Sequence, residues 1–412
     1  MSAVAGLRGT GDWGTDERPK NFRESILWFK PNGNAPVFAL TSKAGSRTVD
    51  DPEYTWWAES QNLVRLQVNG ALSSSDTLVT VDSSDPTSTT MHRLYGTAQH
   101  LKAGDLLLVE PAADNATFDH ELIMVTEVLS DTQFTVQRGV GGTTAATIAN
   151  DLYLLLIGSA FAEGTDAPDA TSRNPTKFTN YIQIFKEAYE LTGTADNTRT
   201  RTGSPWSNDK KRKMWDHARA IELSMLFGRA YETTGANGKP LRFMGGIRPQ
   251  IPAANVTVFG SAVSDSSFVD AIAPAYDFDV GGGDVRIGFA GNAALIELSK
   301  VVQGSSKISL NATAPVKMWG MNFQEFVLPN GRLLLKNHPL MSQHPLYKYS
   351  MFGLDFSVIK YVKMKGRPDG KPVDDIQPKG ADYRAGYIQT DCSVQVDAGG
   401  LSQFYLGNIS AT

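Results

Sequence analysis

Between Leu63 and Ile157 the chain carries six short runs of β-branched and aliphatic residues, separated by turn residues and without helical periodicity. The runs are Leu63–Val68, Leu78–Val81, Asp105–Val109, Leu122–Val128, Phe134–Gln137 and Leu152–Ile157. The first alternates, with Leu63, Arg65 and Gln67 on one side and Val64, Leu66 and Val68 on the other. Such runs read as strands, and six of them in a row predict a small barrel or sandwich. The stretch 158–176 is rich in Gly, Pro, Asp and Thr and reads as a loop. In 177–193, Phe178, Tyr181, Ile182, Ile184, Phe185 and Tyr189 favour a long strand.

The pattern then changes to a helical one. Met214, Ala218, Ile221 and Met225 form an apolar stripe, widened by Trp215 and Leu226. Ser207 or Asn208 suits the N-cap, and Gly235 the stop. A helix of about 26 residues spans about 40 Å, enough to act as a beam across a small domain. Beyond it, strands are predicted at Asn255–Phe259, Lys317–Trp319, Arg332–Lys336, Leu354–Val362, Cys392–Val396 and Gln403–Leu406. Helices are predicted at Asp265–Tyr276, interrupted near Pro274, and at Asn292–Val302. This alternation is that of an α/β or α+β unit. Gly366–Lys371 is a turn expected to protrude.

At 412 residues the chain calls for two or three cores. Its single cysteine, Cys392, rules out an internal disulfide and suits a reducing cytoplasm. Residues 1–20 lack an apolar stretch of signal-peptide length, and Leu152–Ile157 is far too short to span a bilayer, so no membrane partner is expected. The net charge of −4 conceals an asymmetry. Residues 63–170 hold four basic side chains (Arg65, Arg93, Lys102, Arg138) against fourteen acidic ones, a balance of −10, so the remainder carries +6. A β-unit with an acidic soluble surface and one turned away from a polyanion both fit that split. The N-terminal region is polar and glycine-rich through Gly14, followed by an apolar cluster of Phe22, Ile26, Leu27, Trp28 and Phe29. Trp56 and Trp57 stand beside acids, and such aromatics are suited to anchoring a subunit contact.

No stretch carries a catalytic signature. Gly139–Thr144 follows a strand but lacks the lysine of a phosphate loop, and reads as a structural turn. Gly281–Asp284 reads as a flexible connection. The six histidines are scattered, and the prolines after His338 and His344 deny them a shared helical face for a metal. There is no Gly-x-Ser-x-Gly elbow, and Cys392 has no base nearby in sequence. Asp374-Asp375 reads as a solvated turn. No catalytic, cofactor or metal residue is therefore assigned, and no enzyme activity is expected. The one charge run with mechanical content is Lys210, Lys211, Arg212 and Lys213. Four cations near a helix N-terminus oppose the macrodipole and invite an external anion, either a neighbour's carboxylates or nucleic-acid phosphates, unless they are simply solvated.

Four segments, in order, resemble the major capsid proteins of tailed bacteriophages with the Hong Kong 97-type fold. They are Pro31-Asn32 through Pro36-Val37-Phe38 with Asp51–Trp56; Arg138–Ala146; Asn174–Lys177 through Tyr181–Phe185; and the long helix from Asn208. The resemblance implies an α+β fold with a small all-β barrel or sandwich inserted. An N-terminal arm would occupy 1–60, and an extended loop 61–200, with the β-module at 63–157. A spine helix and peripheral domain would occupy 201–250, with 355–376 returning to it, and an axial domain 251–354 and 377–412. Function would then be self-assembly of hexamers and pentamers into an icosahedral shell around double-stranded DNA. Trp28, Trp56, Trp57, Arg367, Asp369 and Lys371 become candidate intersubunit contacts, with the Arg367–Lys371 loop near local three-fold axes. The basic run becomes a DNA- or neighbour-facing patch. A separate scaffolding protein, a portal, decoration proteins, non-specific contact with packaged DNA and assembly in the bacterial host cytoplasm are implied as well. The rival readings are an encapsulin-like nanocompartment and a virion-associated carbohydrate- or protein-binding module.

Overall fold

In the computed structural model the described residues are 35–59, 64–82, 97–110, 120–166, 175–198, 200, 203–277, 283–304, 316–318, 321–328 and 331–410. Trp28, Trp319 and the apolar cluster 22–29 lie outside them.

The six predicted strands form one antiparallel sheet in the order Arg65–Gln67, Tyr153–Ser159, Asp105–Val109, Leu122–Val128, Gln133–Val140 and Leu78–Thr80. Val68 bridges Val81, and the Asn69 and Asp82 amides donate to the Thr80 and Gln67 carbonyls, so the first and last strands meet. This closure makes the module a barrel rather than a sandwich, and closure removes exposed sheet edges. Among the described residues its core, including Leu66, Leu107, Ile123, Phe134, Ile148 and Leu154, draws only on residues 64–156. Arg138 and Glu121 pin one end. The Arg138 guanidinium donates twice to the Glu121 carboxylate, at 2.6 and 2.7 Å, and once to the Ser73 carbonyl, at 2.8 Å. Glu121 also accepts from the Gly139 and Ala146 amides. Burial alone would raise the Glu121 carboxyl, but Arg138 and these amides outweigh it and hold the group low. The glycine-rich segment is thus a structural turn around a buried ion pair, with Gly139, Gly141 and Gly142 all at positive φ.

A two-stranded ribbon, Glu53–Ala58 against Thr176–Tyr181, joins the barrel to the body. The predicted strand over 177–193 continues past it as Gln183–Thr192, at the edge of a four-stranded sheet. There it pairs along ten residues with Tyr383–Val396, which in turn pairs with Ile359–Met364, and this last strand runs parallel to Ser46–Val49. The seven-stranded sheet runs Val256–Val258, Phe404–Gly407, Met351–Leu354, Val285–Ala290, Gly331–Asn337, Met321–Leu328, Val316–Met318. The two sheets therefore divide residues 377–412: 383–396 lies with 183–192 and 359–364, while only 404–407 joins the larger sheet. The single strand expected over Leu354–Val362 is two, one in each sheet. The Asp355 carboxylate accepts from the Ser357 amide at 3.0 Å and hydroxyl at 2.5 Å, and this local turn breaks the strand.

The long helix is Pro205–Phe227, 23 residues, starting slightly earlier than expected and ending about two turns sooner. Ser204, not Ser207 or Asn208, is the N-cap; its hydroxyl accepts from the Ser207 amide, and Pro205 follows at the first helical position. The stop is Gly228 rather than Gly235. A Cβ on Gly228 would lie 2.5 Å from the Ser224 carbonyl and 2.6 Å from that of Met244, so only glycine permits this backbone approach. Tyr231–Thr234 then leaves as a hairpin strand against Pro240–Phe243. On the helix, Ile221, Met225 and Leu226 share one core with Phe185, Ile287, Phe289, Phe352, Ile359, Cys392 and Val394, so both sheets pack onto one beam. The other face of the large sheet packs Leu333, Leu335, Phe404 and Leu406 with Phe268 of Asp265–Ile272 and Leu298 of Asn292–Gly304.

One carboxylate fastens three of these parts. Glu222, fully buried on the long helix, accepts from the Val37 amide at 2.9 Å and the Phe38 amide at 2.7 Å. These are first-turn donors of the helix Pro36–Ala44, whose own N-cap, Ala35, offers no side-chain acceptor. His338, also fully buried, lies with Nε2 2.8 Å from Glu222 Oε1, and its Nδ1 accepts from the Met341 amide. That second bond leaves the proton on Nε2, so the imidazole donates to the carboxylate.

Two outcomes follow from these buried groups. Glu222→Ala strands two helix-end amides and His338, so the body's denaturant transition should fall by about 3–5 kcal/mol; an unchanged midpoint would contradict the assignment. Arg138→Ala should lower the barrel's own transition by about 3–5 kcal/mol while leaving that of the body in place, read by domain-resolved hydrogen exchange.

Candidate assembly surfaces

The basic run at the helix start is only partly outward-facing. The Lys210 ammonium sits 2.5 Å from Asp374 Oδ2, and the Tyr189 hydroxyl donates to Oδ1 of the same carboxylate at 2.5 Å. Lys213 reaches Glu187 at 3.2 Å, and Arg212 pairs with Asp209 one turn back at 3.1 Å. Lys211 and Arg212 are the exposed members. Much of the anion that four cations at a helix N-terminus call for is thus internal, supplied by Asp374 in the segment following Gly366–Lys371, by Glu187 on strand Gln183–Thr192 and by Asp209 on the helix itself. Asp374 and Asp375 are accordingly not a solvated turn. Asp375 pairs with Arg384 at 2.7 Å, and the Arg384 guanidinium lies 4.3 Å over the Trp206 ring in the helix's first turn. Sequence reading missed this because the partners lie more than 160 residues apart.

The Gly366–Lys371 turn is exposed at its tip, but the chain after it is stitched to strand Tyr383–Val396. The Gly370, Val373 and Ile376 amides donate to the Gln389, Tyr387 and Ala385 carbonyls. Arg367 donates from Nε to the buried Asp391 carboxylate at 2.7 Å while its side chain stays 46% exposed, so its charge is anchored from beneath and presented outward. Asp369 accepts from the Tyr361 hydroxyl at 3.1 Å, and Lys371 is exposed. Arg367 also rims a groove floored by Ile182, Ile184, Leu241, Phe243 and Met364. Ile184, Leu241 and Phe243 are themselves exposed large apolar residues.

The tryptophans of the ribbon have opposite fates. Trp56 is buried, its ring stacked 5.8 Å from both Tyr54 and Phe178, while Trp57, on the opposite face, is 60% exposed. Tyr54 fixes the root of the ribbon, its hydroxyl reaching the Ser393 hydroxyl and the Val394 carbonyl. Asn180 fixes the other strand, donating to the Gly245 and Val394 carbonyls and accepting from the Gly245 and Tyr181 amides. A two-stranded ribbon has little stability alone, and these buried polar anchors hold it to the body. Chemically the surfaces offer apolar contact and fixed charge. The two histidines weighed for a metal are apart in role: His338 is buried against Glu222, and His344 is exposed, its Nδ1 accepting from the Leu346 and Tyr347 amides.

Lys210 and then Tyr189 hold the Asp374 carboxyl below its ordinary range. A depressed carboxylate stabilises the fold above its unfolded pKa, and that contribution disappears as pH falls through the folded value. The pair is partly exposed and is worth up to about 1 kcal/mol. Asp374→Asn should therefore speed exchange of the Gly370, Val373 and Ile376 amides by up to about fivefold at neutral pH. The gap between wild type and variant should close on acidification below the carboxylate range; equal exchange at neutral pH would show that the pair does not hold the segment.

The family model described as SU10 major capsid protein matches residues 7–399. The major capsid protein of Pseudomonas phage PaMx41 is 28% identical over 408 residues, covering 97% of this chain and 91% of that protein. Among solved structures, the capsid of cyanophage A-1(L) aligns over 96% of this chain and 98% of its own at 8% identity, with a TM-score of 0.45. The SrpI encapsulin of Synechococcus elongatus PCC 7942 aligns over 60% of this chain and 79% of its own at 9% identity, with a TM-score of 0.40.

Proposed function

The chain belongs to the SU10 major capsid protein family, shell-forming structural proteins of the tailed-phage virion with the Hong Kong 97-like fold, and from that premise we propose how its parts serve the shell. The region up to residue 60 acts as the arm, locked to the body where Glu222 caps the helix Pro36–Ala44. The ribbon and barrel form the extended loop over 61–200. The long helix with its four-stranded sheet forms the peripheral unit, to which strand 383–396 is reassigned, and the seven-stranded sheet forms the axial unit. Copies associate as hexamers and pentamers around double-stranded DNA, with a separate scaffolding protein, a portal and decoration proteins, in the host cytoplasm. Contact with the packaged DNA is non-specific, and the chain has no catalytic task.

The observation that carries this reading is the ribbon: a pair of strands, bolted down by Tyr54 and Asn180, that leads from the body to a barrel with its own core and exposes Trp57. A lever of that kind does nothing for an isolated body and much for one that must touch neighbours. Trp57, Arg367, Asp369 and Lys371 are assigned to contacts between copies. Trp56 supports its outward neighbour from within. Lys211 and Arg212 meet the acids of an adjacent subunit. Many small contacts then close a shell cooperatively.

Analytical ultracentrifugation of the recombinant chain, with electron microscopy of the fast-sedimenting fraction, tests the reading. Closed or open shells with five- and six-fold units are expected. A strictly monomeric species, even with a co-expressed scaffolding protein, would favour a binding module instead.

A further inference from the structure

The barrel is apolar on both sides of three adjacent strands. Leu107, Ile123 and Leu154 point into its core, as the alternation requires. Their neighbours also are aliphatic. Leu106 lies opposite Met124, and Leu108 lies opposite both Leu122 and Leu155. A bulge between Leu106 and Leu107 admits Ile157, which is 52% exposed. Directly paired residues share a face of the sheet, so Leu106, Leu108, Leu122, Met124, Leu155 and Ile157 make one continuous outer patch, in which Ile157 is exposed and the other five are half-buried. An antiparallel sheet with water on one side is expected to alternate apolar and polar residues. The adjoining strand does so: Phe134 and Val136 point inward, while Gln133, Thr135 and Gln137 point out, and the Thr135 hydroxyl meets that of Thr126 at 2.8 Å. The break in alternation runs across three adjacent strands and reaches Val140, which lies opposite Leu122; a contiguous apolar face of this kind is the mark of a contact surface.

We propose that this patch docks onto the body of a neighbouring copy of the chain, at a surface outside residues 63–170. The inference rests on the shell reading and names a contact within it. Charge selects the occupant. The stretch bearing the patch carries −10 and the rest of the chain +6, so barrel against barrel is repelled while barrel against body is attracted. A six-residue patch suffices because the anchored ribbon holds each barrel at a high effective concentration near its neighbours. Among the described residues the barrel's core draws on 64–156 alone, so the outer patch is not needed to complete it.

The test places the photo-crosslinking residue p-benzoyl-phenylalanine at position 157, and separately at 155, of the full-length chain, and maps adducts in assembled shells by mass spectrometry. Links from these positions to residues outside 63–170 of another copy are expected. Links to another copy's barrel, links only to a decoration protein, or no links at all would overturn the proposal. In parallel, Leu108→Asp with Leu155→Asp should cut shell yield at least about tenfold while the barrel's amide protection is kept, since neither side chain faces the core. Normal yield overturns the proposal, and if the variant barrel unfolds the crosslinks decide. Absence of shells from the unmodified chain would overturn the shell reading, and this contact with it.

Discussion

A carboxylate sealed from water holds this body together. Glu222 sits on the buried side of the long helix, and its two oxygens meet donors from two other parts of the chain: the opening turn of Pro36–Ala44 and the imidazole of His338. A charge in that position is costly to bury, and it is tolerated only because it is fully hydrogen-bonded. The consequence is geometric. The arm helix cannot shift along the beam, and the end of strand Gly331–Asn337 cannot move away from it, without leaving donors or the carboxylate unpaired. The shared apolar core of Ile221, Phe289, Phe352 and Val394 supplies the bulk of the attraction between helix and sheets, while Glu222 fixes their register.

The barrel obeys the same logic on a smaller scale, separately. It has its own core and its own buried ion pair, Arg138 with Glu121, and it meets the body through the ribbon. Such a division lets body and module each keep a core of its own. It also accounts for the uneven charge: an acidic barrel stays soluble and apart from its copies, despite its apolar outer patch. The external surfaces of the body follow from its internal fastenings. Arg367 is displayed because Asp391 holds it from below, and Trp57 faces outward because Trp56 is clamped by Tyr54 and Phe178.

Local pattern made much of this fold legible. The strands Asp105–Val109 and Leu122–Val128 have the bounds expected from their short aliphatic runs, because turn residues flank each of them. The barrel as a class was readable, but its closure was not, since it depends on one bridge, Val68 to Val81. The end of the long helix was misjudged because Tyr231–Thr234 continues a plausible helical sequence; what stops it is a tertiary backbone contact at Gly228. Likewise, Met321–Leu328 and the 14-residue length of Tyr383–Val396 are set by pairing with distant strands. At the surfaces, the basic run was visible but its internal partner, Asp374, was not. Glu222 did leave a trace: it stands beside Ile221 and one turn from Ala218 and Met225, an acid on an apolar stripe, which calls for a buried partner.

Arm helix, beam and large sheet form one cooperative unit through Glu222. Native-state hydrogen exchange at the Val37 and Phe38 amides tests this directly, because both donate to that carboxylate and to nothing else in the helix. They should open only with the body, at the same free energy as the Val394 and Phe352 amides, while barrel amides follow their own opening. Exchange of Val37 and Phe38 at the rate of a freely fraying helix end, with the body still protected, would contradict it.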